Sequence, residues 1–216
     1  MSHTGKNIAD IRKDYQLTVL DEQATGDDPF AFFHRWFHEA HEADANEVNA
    51  MTLATVNADG KPHARIVLLK GLDDKGFVFF TNYNSEKGKD ISENKHVSVV
   101  FFWKELERQV CIEGVAERIS TEESDTYFYS RPLGSQIGAW SSPQSQIIDN
   151  RDILEQNYLR YEKEFAGKIP RPQHWGGYRI IPHNIEFWQG RSNRMHDRII
   201  FSQNANGTWS KNRLAP

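Results

Sequence analysis

At 216 residues, 38% hydrophobic and 12% aromatic, the chain can bury one sizeable core, and its length favours one domain over two. A formal net charge of −4 gives nucleic acid and anionic membranes nothing to attract, so any bound anion must meet a locally cationic pocket. The single cysteine, Cys111, excludes an intramolecular disulfide and a Cys-x-x-Cys zinc site, which fits a reducing, cytoplasmic setting.

Residues 1–14 are polar and lack the apolar stretch of a secretory signal, while apolar runs such as 97–103 are too short to span a bilayer. A soluble protein with no membrane or nucleic-acid partner is therefore expected. Asp27 and Asp28 precede Pro29, and Phe30, Phe33, Phe37 and Ala40 follow at helical spacing, predicting a capped amphipathic helix over 29–43. From about residue 50 the pattern becomes β-rich runs separated by turns: strands over 51–56, 63–70 and 77–81, with turns at 57–60 and 73–76.

Ser85 can cap a short helix running to 94, and strands over 96–103 and 108–118 follow. Ser120 with Glu123 makes a capping-box pattern that opens a helix ending before Pro132. Another helix is expected over 149–165, then strands over 175–181, 185–189, 198–202 and 208–212, the last after an Asn206-Gly207 turn. Strands outnumber helices and βαβ alternation is absent, so the expected fold class is mainly β with attached α-helices, an antiparallel barrel closed or partly closed.

Four segments carry polar chemistry that a plain core does not require. Arg65 and Lys70 bracket four aliphatics; residues five apart on a regular strand face opposite ways, so the two cations serve different partners unless a bulge intervenes. Solvated ends of a buried strand are the plainer reading. Residues 81–87 run from a strand into a helix start, where free N–H groups and Lys87 favour an anion, although an ordinary capped helix has the same pattern.

Tyr127 and Arg131 lie one helical turn apart, with Ser135 beyond Pro132, a set able to grip a phosphate or to make a helix-end ion pair. Residues 188–198 hold Arg191, Arg194, Arg198, His196 and Asp197, the densest polar cluster, readable as a functional or a solvated loop. His34, His38 and His41 form a helical stripe without a clearly placed carboxylate, so they are read as a solvated edge and no metal site is expected. Cys111, between Val110 and Ile112, is read as core, and no Gly-x-Gly-x-x-Gly or P-loop occurs.

In order along the chain, Arg65-Ile66-Val67-Leu68-Leu69-Lys70, Leu106-Glu107-Arg108-Gln109-Val110, Ser130-Arg131-Pro132 and Ser135-Gln136-Ile137-Gly138-Ala139-Trp140 are followed by Ile185-Glu186-Phe187-Trp188-Gln189-Gly190, His196-Asp197-Arg198 and Arg213-Leu214-Ala215-Pro216. Together they resemble the pyridoxine (pyridoxamine) 5′-phosphate oxidase family over nearly the whole chain. The resemblance implies a single FMN-binding split-barrel domain over 1–216 with a mobile N-terminal segment of about 1–25, and a homodimer holding FMN non-covalently at its interface. It implies oxidation of pyridoxamine 5′-phosphate and pyridoxine 5′-phosphate by O2 to pyridoxal 5′-phosphate and H2O2, the last step of vitamin B6 coenzyme synthesis and salvage.

By the same resemblance, Arg65, Lys87, Gln144 and Ser145 hold the FMN phosphate, while Ile66, Val67, Leu68, Leu69, Lys70, Phe80, Thr81, Gln109, Trp188 and Arg198 complete the cofactor's surroundings. Lys70, Tyr127, Arg131 and Ser135 take the substrate phosphate, Arg194, Met195 and His196 the substrate ring, with Arg194 and His196 in the catalytic roles. Arg12, Lys13, Asp14 and Tyr15 close over the substrate. Two residues depart from the family's pattern: Glu86 stands where an arginine is common, and Phe80 replaces a common tyrosine, so weaker FMN retention is expected. Another flavin enzyme on the same barrel would not need Tyr127, Arg131 and Ser135, and a non-catalytic carrier of flavin or pyridoxal phosphate would produce no peroxide.

Overall fold

In the computed structural model, which describes residues 7–11 and 13–216, the elements run α1 (Glu22–Thr25), α2 (Pro29–Glu42), β1 (Ala50–Val56), β2 (Pro62–Leu68), β3 (Gly71–Asp73) and β4 (Gly76–Asn82). Then come α3 (Glu86–Glu93), β5 (His96–Trp103), β6 (Arg108–Arg118), α4 (Thr121–Ser130), α5 (Leu133–Ser141), α6 (Asp152–Phe165), β7 (Trp175–Gln189), β8 (Asp197–Gln203) and β9 (Trp209–Leu214). No helix among the described residues is long and apolar enough to cross a membrane. The chain divides into two compact units, one made of the segment up to Val48 with Phe102–Cys111 and Asn184–Pro216, the other of Asn49–Phe101 and Ile112–His183.

In the second unit the strands follow the order β2-β1-β5-β6-β7-β4-β3. β1 and β2 pair antiparallel from Ala50 opposite Leu68 to Val56 opposite Pro62, and β4 pairs antiparallel with β7 from Phe77 opposite Ile180 to Asn82 opposite Trp175. Alternation along β1 and β5 buries Met51, Leu53, Val97, Val99 and Phe101, while β4 is buried along both faces, with Phe77, Val78 and Phe79 all in the core. β2 ends the strand order and differs from the buried strand its aliphatics suggest: Ile66 is 63% and Leu68 37% exposed. Phe128, Ile137, Ile169 and Trp175 form a separate buried cluster.

Local signals set several boundaries here. Ser120 Oγ accepts from Glu123 N at 3.1 Å and the Glu123 carboxylate accepts from Ser120 N at 3.2 Å, so the capping box opens α4 as expected. β3 and α5 add two elements absent from the sequence reading, and β7 is one strand where two were expected, with Pro182 buried inside it.

In the first unit, β8 pairs antiparallel with the Asn184–Gln189 part of β7 and with β9. α2 starts as read, with Pro29 in its first turn and the Asp28 carboxylate accepting from Phe30 N at 2.9 Å. Its buried face is rotated from the expected one. Phe32, Phe33, Trp36 and Ala40 are buried, and Phe30 and Phe37 flank them half-buried, because Phe32 and Trp36 meet Phe187 at 4.5 and 5.4 Å between ring centroids. His34, His38 and His41 are exposed, and no group of three metal-ligating side chains occurs among the described residues.

α1 is fastened to β9 by Arg213, whose Nε and Nη2 donate to Glu22 Oε1 and Oε2 at 2.6 and 3.0 Å. These hydrogen bonds hold the Glu22 carboxyl down from 4.5 to about 2. A depressed acid stabilises the fold above its unfolded value and loses that contribution as pH falls through its folded one. Between pH 4.5 and about 2, thermal melts of the wild type should therefore fall more steeply than those of Glu22→Gln; parallel curves would contradict the clamp.

Candidate functional site

In the second unit, a cleft of about 280 Å³ is lined by Ile66, Val67 and Leu68 of β2, by Phe80 and Thr81 of β4, by Lys87 of α3, Tyr127 of α4 and Trp175 of β7, and by Lys70, Arg131 and Gln144 from the connecting segments. Three cations and no carboxylate line it among the described residues. On a chain of net charge −4 this is a local reversal of sign, which favours an anionic ligand.

Each cation is placed by tertiary structure. Lys70 lies beyond the end of β2 and its N–H donates to Val78 O at 2.8 Å, so the chain has left the strand that carries Arg65. Lys87 sits in the first turn of α3, capped by Ser85, with Nζ donating to Gln144 Oε1 at 3.0 Å. A Cβ on Gly88 would stand 2.2 Å from the Tyr83 carbonyl oxygen, so only glycine lets α3 approach this closely. Burial and the neighbouring Arg65 lower the Lys87 pKa, while Glu86 raises it.

Arg131 follows α4, its guanidinium 4.6 Å from the Trp175 ring centroid. Its Nη1 is buried without a hydrogen-bond partner among the described residues. Such an atom costs about 1–3 kcal/mol unless a ligand satisfies it. Burial lowers the Arg131 pKa, offset by Tyr127, and burial raises that of Tyr127, offset by Arg131. Phe80 and Tyr127 stack at 3.9 Å between centroids, and Trp175 lies parallel to Phe80 at 5.5 Å, so aromatic faces make one wall.

Arg65 stands behind this lining. It donates to Thr55 Oγ1 at 2.6 Å and lies 3.7 Å from the Asp90 carboxylate and 3.5 Å from that of Glu86. Asp90 is buried and also contacts Thr55 Oγ1 at 2.6 Å and His63 Nδ1 at 3.0 Å. Burial acts to raise the Asp90 pKa, but bonds from Thr55 and His63 with the charge of Arg65 bring it below the ordinary value. Glu86, the departure noted in the sequence, is thus ion-paired with Arg65 at a half-exposed position. Leu69 is buried with its N–H donating to Asn49 O, and Ser135 and Ser145 are exposed, Ser145 at φ 69°.

The first unit holds the second group of expected residues. A cavity of about 490 Å³ is lined by Ile11, Lys13, Asp14, Tyr15, Arg191, Asn193, Arg194 and His196. Asn193 and Arg194 adopt left-handed backbone at φ 54° and 61°, turning the loop ahead of β8. Arg191 N–H donates to His196 Nδ1 at 3.0 Å, which leaves the ring hydrogen on Nε2. Trp188 packs on His196 at 4.7 Å between centroids, and Tyr15 meets Trp188 edge-on at 5.7 Å.

Arg198 is committed elsewhere: it makes a two-pronged bond to Glu186 at 2.7 and 2.9 Å, and that bond raises its pKa. Gln109 is half-buried in β6, Met195 is exposed, and Arg12 lies outside the described residues. The sequence reading gave no role to Trp175, Thr55, Asp90 or Glu107; each acts on a residue remote in the chain, so no local pattern marks it.

On an antiparallel barrel with attached helices, a cleft lined by cations with no carboxylate among the described residues favours a small anionic ligand. The pyridoxamine 5′-phosphate oxidase family model matches residues 37–163, and that of the pyridoxine 5′-phosphate oxidase C-terminal dimerisation region matches 175–216. A pyridoxine/pyridoxamine 5′-phosphate oxidase of Cupriavidus pinatubonensis is 54% identical over 97% of this chain and 99% of its own length, and one of Trichormus variabilis is 52% identical over 98% and 99%. The chain belongs to the pyridoxine/pyridoxamine 5′-phosphate oxidase family, a family of oxidoreductases.

Among solved structures, PhzG from Burkholderia lata in complex with tetrahydrophenazine-1-carboxylic acid superposes with a TM-score of 0.86 at 29% identity, covering 93% of this chain and 99% of that one. A pyridoxamine 5′-phosphate oxidase-related, FMN binding protein from Nostoc punctiforme gives 0.70 at 15% identity over 88% and 98%, a likeness of fold. The expected split-barrel fold class is the one these neighbours share.

Replacing the Arg131 guanidinium with an apolar chain removes a buried donor that has no partner among the described residues. Arg131→Met should melt no lower than wild type without phosphate, and should lose the rise in melting temperature that pyridoxal 5′-phosphate gives the wild type. An equal ligand-induced rise in both proteins would refute the assignment.

Proposed function

We propose that the protein, as a homodimer, uses FMN to oxidise pyridoxamine 5′-phosphate and pyridoxine 5′-phosphate to pyridoxal 5′-phosphate, with O2 as acceptor and H2O2 as product. The amine substrate also consumes water and releases ammonia. The observation that carries this reading is the buried, unpartnered Arg131 Nη1 in a cleft with Lys70, Lys87 and no carboxylate among its described lining. The names of the relatives support phosphorylated B6 vitamers as the anion, and the family description of residues 175–216 supports the dimer.

The residues fit a phosphorylated cofactor as well as a phosphorylated substrate. Lys87, lowered in pKa by burial and by Arg65, gains from an added dianion, with Gln144 already on its Nζ. Arg65, Lys87, Gln144 and Ser145 are assigned to the FMN phosphate. The exposed β2 edge at Ile66 and Leu68 offers backbone and apolar surface to the flavin ring. FMN supplies the two-electron redox chemistry. Glu86 already pairs with Arg65, so FMN binds more weakly than to a chain with a neutral or basic residue there.

Lys70, Tyr127, Arg131 and Ser135 are assigned to the substrate phosphate. Binding energy from this non-reacting group holds the reacting carbon in place. Arg194 and His196 are assigned to the substrate ring. With its hydrogen on Nε2, His196 donates a hydrogen bond and orients the substrate; it does not accept a proton there. Arg194 supplies positive charge beside the ring.

Flavin absorption bleached anaerobically by pyridoxamine 5′-phosphate, with peroxide formed on admitting air, is the expected result. Bleaching by tetrahydrophenazine-1-carboxylic acid but by neither B6 phosphate would overturn the proposal. Arg194→Ala should cut kcat by about 10²-fold or more with FMN retained. Arg131→Met should act chiefly through KM, because its partner is remote from the reacting atoms; a change in kcat alone would contradict that role.

A further inference from the structure

Glu107 has no part in the roles above, yet its carboxylate is buried in the first unit and takes partners 91 and 90 positions away in the chain. It follows β5 in left-handed conformation, at φ 55° and 3% exposure. Its main-chain oxygen accepts from Gly190 N at 2.7 Å and from Gln189 Nε2 at 3.2 Å, which fixes the residue against the end of β7. Its side chain is then aimed at the N-terminal arm. Oε2 accepts from the consecutive N–H groups of Gln16 and Leu17 at 2.9 and 3.2 Å, and Oε1 lies 3.2 Å from Lys13 Nζ.

A carboxylate removed from water is unfavourable unless donors fill its lone pairs. Here the donors come from an exposed arm: Lys13, Asp14, Gln16 and Leu17 all face solvent. Two adjacent N–H groups on one oxygen fix the orientation of the peptide there, and so of the preceding Tyr15. The Tyr15 ring lies against Gly190, where an added Cβ would come within 2.7 Å of Tyr15 Cγ, and edge-on to Trp188. Lys13 and Tyr15 thereby form one wall of the cavity whose other wall carries Arg191, Arg194 and His196.

We propose that Glu107 is a positioning residue that fastens the arm and sets Tyr15 over the Arg194–His196 cavity. Its effect on turnover rests on the reading of that cavity as the place of the substrate ring; the fastening itself does not.

Hydrogen exchange at the Gln16 and Leu17 amides of the full-length, FMN-loaded protein reads the fastening directly, and steady-state kinetics with pyridoxamine 5′-phosphate read its consequence. Glu107→Ala should speed exchange at both amides by about tenfold or more, leaving Ile199 and Phe201 as protected as before. KM should rise by about tenfold with kcat little changed. Glu107→Gln, which keeps an acceptor, should recover most of both. Gly190→Ala should displace Tyr15 and raise KM without removing the carboxylate, and serves if Glu107→Ala does not fold. Unprotected amides in the wild type, amides indifferent to Glu107→Ala, or freed amides with unchanged KM would each overturn the proposal. A wild type that frees its amides on Glu107→Ala but never oxidises pyridoxamine 5′-phosphate would remove the oxidase reading and leave the fastening standing.

Discussion

Confinement of positive charge in a cleft with no carboxylate among its described lining is the constraint that sets the character of the second unit. Lys87 and Arg131 are held where burial disfavours their charged forms, and one guanidinium nitrogen has no hydrogen-bond partner among the described residues. A fold keeps such groups only when rigid surroundings hold them and a ligand repays the loss of water. The surroundings are visible: α3 seated by Gly88 against Tyr83, and the parallel faces of Phe80, Tyr127 and Trp175. Cationic donors held in this way favour an anionic ligand.

The same reasoning separates Arg65 from its neighbours. Asp90, Thr55 and His63 form a connected polar group behind it, so its charge is met before any ligand arrives. Glu86 adds a further, half-exposed carboxylate on the outer side. Loss of a hydroxyl at Phe80 is compensated by tight stacking on Tyr127, which keeps the wall intact.

In the first unit the polar loop is a set of filled bonds, not a free cationic patch. Asp197 takes Arg191, Arg213 and the Leu20 N–H, Glu186 takes Arg198, and Glu107 takes the arm. Arg194 stays exposed on left-handed backbone beside His196, whose ring is fixed by Arg191 N–H and by Trp188. Among the described residues Arg194 thus has fixed neighbours but no ion pair of its own.

Signals that act within a few residues were legible in the chain. Asp28 with Pro29, Ser85, and Ser120 with Glu123 start helices because a cap needs only a side-chain oxygen near its own backbone N–H groups, and β5 and β6 occupy the predicted 96–103 and 108–118 because alternation and β-branching are local. The ordered motifs also carried the family. Tertiary structure alone decided the remainder: α5 is held by packing of Ile137 on Phe128 and Trp175, β7 continues through Pro182, and the face of α2 turns toward Phe187. It also decided that Arg131 lies on Trp175, that Asp90 backs Arg65, and that Glu107 reaches Gln16, since each of these contacts joins residues tens of positions apart and leaves no periodic trace in the sequence.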